Sequence, residues 1–122
     1  MADALADRRR HRHSLIELAR TYVEGVSARL PVLAAAVAGS VARGDFNVWS
    51  DIDVVVVAPS LPDRVPDRAG VLGIDAPPGV QAVGFTPDEF AAAVAKRNRL
   101  ATEAVDAGIV LRGEEFFRTL RA

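Results

Sequence analysis

Apolar residues recur along this chain in two rhythms, and the switches between them mark its elements. Leu15, Leu18, Ala19, Tyr22, Val23, Val26 and Leu30 follow the spacing of one face of a helix. The residues before Leu15 continue that helix in charged form, and Pro31 ends it. Val32 to Ala38 is an unbroken apolar run bounded by Pro31 and Gly39. Its length and position predict a buried strand, although alanine is a weak strand former. Gly39-Ser40 then opens a short helix. Ile52 to Val57 is apolar on both faces, the pattern of a central strand, and Pro59 stops it.

Ser60 to Gly79 is broken by Pro62, Pro66, Gly70, Gly73, Pro77 and Pro78, which predicts a long excursion with one helical turn near Asp67 to Leu72. This is the segment expected to move most. Val80 to Phe85 alternates and predicts a third strand. Thr86-Pro87-Asp88-Glu89 combines an N-cap, proline at the first helical position and a glutamate three residues after the cap. The helix it starts runs through Phe90 and Val94 towards Arg97. A second helical stretch begins near Leu100 and ends at Gly108, Ile109 to Leu111 makes a short fourth strand, and Glu114 to Leu120 a terminal helix. There is no internal repeat and no low-complexity tract. Alternating helices and strands predict an α/β fold, with residues 1–122 as one domain.

Composition narrows the function classes. The chain has 122 residues, no cysteine and a formal net charge of −1. Disulfides, thiolate metal sites and cysteine nucleophiles are therefore excluded, so any metal must be held by oxygen ligands or histidine. A pI near 6.1 gives no overall basic field for a nucleic-acid backbone, and none is expected as a partner. The block Arg8-Arg9-Arg10-His11-Arg12-His13 has no interleaved aromatic residue and reads as a solvated helix turn. His11 and His13, two apart, fall on different sides of a helix and make a poor metal pair. No apolar stretch is long enough to span a bilayer, and the first residues lack the apolar segment of a signal peptide. The expectation is a soluble, cytoplasmic protein with no membrane partner.

The candidate chemistry lies at the junction of the first two strands. Gly39-Ser40-Val41-Ala42-Arg43-Gly44-Asp45 can start a helix whose free N–H groups attract phosphate oxygens. Gly39 permits close backbone approach, and the Ser40 hydroxyl and N–H can donate. Arg43, one turn on, could fork onto a phosphate or pair with Asp45. Asp51 and Asp53 stand two apart at the head of a strand, so both project from one face while Ile52 and Val54 turn into the core. Such a carboxylate pair suits a hard cation that is also held by substrate phosphates. Ser50 most simply shapes the turn into the strand, Trp49 could stack on a base or act as a packing lid, and Tyr22 belongs to the core stripe of the first helix.

Gly-Ser, ten intervening residues and Asp-x-Asp at the head of a valine-rich strand resemble the signature of the polymerase-β-like nucleotidyltransferase superfamily. The fuller string, Gly39-Ser40-x-Ala42-Arg43-Gly44 with Ser50-Asp51-Ile52-Asp53, is most similar to its minimal nucleotidyltransferases, antitoxin partners of HEPN-domain proteins. The resemblance spans Val32 to Ala58, with weaker echoes in Val80 to Phe90 and Ile109 to Leu111. It implies a palm-like fold with a small mixed four-stranded sheet, helices packed mainly on one face and the site exposed on the other. It also implies that Asp51 and Asp53 are catalytic and hold Mg2+, with Gly39, Ser40 and Arg43 on the phosphates of a nucleoside triphosphate, ATP being the expected one.

The implied reaction moves a nucleoside monophosphate to a hydroxyl, such as one on a protein partner. The implied partner is a HEPN-like helical protein or a second copy, since larger members carry extra domains for the acceptor. The chain departs from the family pattern in the third strand, where the third carboxylate's position falls on Gln81. A neutral amide ligates metal weakly and offers no general base, and Asp75, the nearest substitute, lies among prolines. Two function classes therefore stay open, an active transferase and a nucleotide-binding or antitoxin-type partner without turnover.

Overall fold

A computed structural model of the chain describes residues 2–46 and 51–121. The expectations for Trp49 and Ser50 fall outside them. The elements follow as α1 (Ala2–Arg29), β1 (Ala34–Ala38), α2 (Gly39–Arg43), β2 (Ile52–Val57), α3 (Val65–Gly73), β3 (Val80–Phe85), α4 (Pro87–Ala95), α5 (Arg99–Ala107), β4 (Ile109–Arg112) and α6 (Glu114–Leu120). The four strands form one sheet in the order β3-β2-β1-β4. β1 is antiparallel to β2 and to β4, whereas β2 and β3 are parallel. A parallel pair needs a crossover, and the proline-rich excursion supplies it by folding into α3.

The fold class is the mixed α/β arrangement expected from sequence, but its helices are shared between both faces of the sheet rather than gathered mainly on one. β1 and β2 are apolar on each side, and both sides must be covered. Ala35, Val37, Ile52, Val54 and Val56 pack against Ala19, Tyr22, Val23 and Val26 of α1 and Leu72 of α3. On the opposite face Ala34, Ala36, Ala38, Val55 and Val57 meet Phe90 of α4, Ala101, Ala104 and Val105 of α5 and Phe117 of α6. Phe90 packs its ring against those of Phe85, Phe116 and Phe117, at centroid distances of 5.3, 5.9 and 5.7 Å. Each such fully buried side chain contributes about 1.5–3 kcal/mol. The alanines that weakened the first strand's prediction let α5 lie close on β1.

Element boundaries shift where tertiary contacts decide them. α1 reaches back to Ala2 in the charged form expected, but its Arg8 and Arg12 are not merely solvated. Arg12 donates to the carbonyl oxygens of Val41 and Ala42 at 3.0 Å each, and Arg8 to those of Gly44 and Phe46 at 2.8 and 2.7 Å, which satisfies carbonyls at the end of α2. α3 is longer than one turn because Arg68 is buried there. α4 stops at Ala95, since Arg97 takes a left-handed φ of +58° and Asn98 accepts from the Ala101 N–H to cap α5. Among the described residues no helix is long and apolar enough to cross a membrane.

Candidate functional site

The site forms where β1 ends and β2 begins. Ala38 is extended, and Gly39 then turns the chain into α2 with a φ of +68°, a conformation that side chains other than glycine's adopt at a cost. Ala38 pairs with Asp53 across the antiparallel ladder. This brings the Asp53 carboxylate so close to Gly39 that a Cβ there would strike its Oδ2. Asp53 shares the α5 face of β2 with Val55 and Val57 but lies beyond the apolar cover, half-buried beside a cleft. The cleft has a volume of about 520 Å³ and is lined by Gly39, Ser40, Arg43, Asp53, Arg99 and Glu103, among others.

Asp51 is exposed just before the strand, whose first N–H, of Ile52, donates to the Gly79 carbonyl at 2.7 Å. Burial raises the Asp53 carboxyl above the ordinary range, and the charges of Asp51 and Glu103 push it further, against Arg43 and Arg99. Gln81 stands opposite Asp53 in the parallel β2·β3 register, and its amide donates to Asp51 Oδ2 at 3.4 Å. The third-strand position facing the aspartates therefore carries an amide. Asp75 is elsewhere, paired with Arg29 of α1 at 2.5 Å. Tyr22 is in the core, with its hydroxyl donating to the Leu72 carbonyl at 2.7 Å and burial pushing its pKa up to about 12.

Arg43 makes the pair with Asp45 and also faces the cleft. Its Nε reaches Asp45 Oδ2 at 3.2 Å, while Nη1 reaches into the cleft to Glu103 Oε1 at 3.0 Å. Glu103 is the site residue that the sequence reading missed. Its Oε2 accepts from the Gly39 N–H at 3.1 Å, and Arg99 Nε donates to its Oε1 at 3.2 Å. The i,i+4 pair Arg99 and Glu103 was visible as one helix face, but nothing local aims that face at Gly39.

The donor set fits a hard divalent cation in part. Asp51 and Asp53 offer oxygen ligands, and burial together with the charges of Asp51 and Glu103 outweighs Arg43 and Arg99 at Asp53. Among the described residues no group of three acidic or histidine side chains converges to hold a metal. A cation here would take its remaining ligands from water and from substrate, the usual habit of magnesium.

A solved structure shares this fold. A crystal structure of a candidate nucleotidyltransferase from Sulfolobus solfataricus superposes with a TM-score of 0.63 at 22% identity, covering 84% of each chain. A toxin–antitoxin structure with AMP-PNP gives a TM-score of 0.46 at 19% identity, over 83% of this chain and 82% of that one. No curated protein sequence matches the chain. Residues 19–101 match the model of the nucleotidyltransferase domain, a span that holds Gly39, Ser40, Arg43, Asp51, Asp53 and Gln81, and the chain belongs to the nucleotidyltransferase domain family.

Proposed function

We propose that this domain binds a nucleoside triphosphate, ATP for preference, together with Mg2+ at Asp51 and Asp53, and transfers its nucleoside monophosphate to a hydroxyl of a protein partner in the cytoplasm. The observation that carries this reading is the close approach of the Asp53 carboxylate to the Gly39 turn, which would put a cation ligand beside backbone and side-chain donors for phosphate. Gly39 N–H and Ser40 would meet phosphate oxygens, and Arg43 would swing its guanidinium from Glu103 onto them. Magnesium at the aspartates supplies charge neutralisation and alignment of the phosphates. In the transfer, the acceptor oxygen bonds to the α-phosphorus, the bond to the bridging oxygen breaks, and pyrophosphate leaves. The partner would be a helical protein of the HEPN kind or a second copy of this chain, whose presence a native mass measurement would reveal.

Gln81 favours a second reading. The acceptor hydroxyl must lose a proton, and an amide opposite Asp53 cannot accept it. The domain would then bind Mg-nucleotide and its partner with little turnover. Transfer from α-labelled ATP, with and without the partner, separates the two. The transferase reading expects labelled protein in the wild type. The binding reading expects none until Gln81→Glu restores a carboxylate. Both expect Mg-ATP to raise the melting temperature by mass action and Asp51→Asn with Asp53→Asn to abolish the increment. An unchanged increment in that double variant would remove the metal pair from the mechanism.

A further inference from the structure

The carboxylate of Glu103 lies where the foregoing reading would put a phosphate. Its two oxygens take the Gly39 N–H, the Arg43 guanidinium and the Arg99 guanidinium, at 3.1, 3.0 and 3.2 Å. Its side chain is 22% exposed, so these contacts are partly shielded from water. The donors of the cradle are thus already engaged by an anion that belongs to the protein. The local charge balance is also unfavourable to a second one. Among the described residues Asp53 and Glu103 line the cleft with Arg43 and Arg99, and two further carboxylates stand next to it, Asp45 against Arg43 and Asp51 beside Asp53.

We propose that Glu103 acts as a specificity-determining residue, which reserves the cradle for phosphate that arrives with a divalent cation. The inference rests on the nucleotide-binding reading and adds a role for a residue of α5. Metal-free phosphate brings only negative charge to a site with a carboxylate surplus and must compete with Glu103 for the Gly39 N–H and for the Arg43 and Arg99 guanidinium groups. A cation between the phosphate and the aspartates reverses the balance. Glu103 then swings out, and Gly39, Arg43 and Arg99 pass to the phosphate. Displacing Glu103 costs the same with or without the cation, so the discrimination comes from its charge, which repels a bare phosphate more than one that a cation has neutralised.

Inorganic pyrophosphate tests this without base, sugar or acceptor. Its dissociation constant would be measured by calorimetry with and without Mg2+ for the wild type, Glu103→Gln and Glu103→Ala, with the Gly39 amide resonance as a local reporter and the melting temperature confirming the fold. The expected result is a ratio of metal-free to metal-bound dissociation constants about tenfold smaller in both variants, through tighter metal-free binding, with the Gly39 resonance moved. An unchanged ratio overturns the proposal. So does weaker binding of Mg-pyrophosphate in the variants, which would make Glu103 a cation ligand, and so does absence of pyrophosphate binding in all three proteins. Failure of label transfer from ATP would sink the transferase reading and leave this ratio standing, so the two failures are distinguishable.

Discussion

Asp53 is held against its own electrostatic interest. Half-buried, and beside Asp51 and Glu103, its carboxyl binds a proton more readily than an ordinary aspartate does. A group whose pKa is raised on folding weakens the fold as pH rises from its ordinary value through the folded one. Asp53→Asn should therefore melt higher than the wild type at pH 7 without ligand, and the gain should vanish at a pH below the ordinary carboxylate range. The same variant should lose any response to Mg-ATP. A lower melting temperature at neutral pH would show that the Asp53 charge is compensated in the folded state. Functional sites commonly trade stability in this manner.

At the scale of elements, the proline-rich excursion expected to be the most mobile is fastened by one buried cation. Arg68 of α3 donates to the Pro62 carbonyl at 2.7 Å, to that of Gly84 at 3.3 Å and to both oxygens of Glu89 at 2.7 and 3.0 Å. Glu89 also closes the capping box with Thr86 at the start of α4. Arg68 and the Thr86 N–H together hold the Glu89 carboxyl down at about 2. Because this pKa is depressed on folding, its contribution is full above the ordinary glutamate value and is lost as pH falls towards 2. Glu89→Gln should lower the melting temperature at pH 7, and the difference from the wild type should shrink steadily between about pH 4.5 and pH 2. A difference that stays constant over that range would deny the ion pair its role. Arg68 is 4% exposed, so Arg68→Ala should cost about 2 kcal/mol in denaturant unfolding.

At the scale of the whole molecule, the site depends on how closely α5 lies on the sheet. Ala101 and Ala104 face Ala34, Ala36 and Ala38, small residues against small residues, and this proximity lets Glu103 on the same helix reach Gly39. Ala104→Leu should overpack this seam at a cost of about 1–3 kcal/mol. It should also lift α5, shifting the Gly39 amide resonance towards its position in Glu103→Gln. A stable Ala104→Leu protein with an unshifted Gly39 amide would separate the packing of α5 from the state of the cradle.

The sequence by itself determined the strands β2 and β3, the capped start of α4, the turn at Gly39 and the pairing of Asp51 with Asp53. Each is written in local terms, as a run of valines, a Thr-Pro-Asp-Glu cap, or two carboxylates one strand period apart. It also put Gln81 opposite the aspartates, because a motif resemblance carries register along with residues. Tertiary structure alone decided the rest. Both faces of the sheet are covered because α4, α5 and α6 pack opposite α1 and α3, a layering no periodicity specifies. Arg12 found carbonyls 29 and 30 positions away in sequence, Arg8 found carbonyls 36 and 38 away, and Glu103 found Gly39 across 64 residues. Such contacts depend on where whole elements dock, and a side chain on an exposed helix face carries no local mark of what will be brought against it.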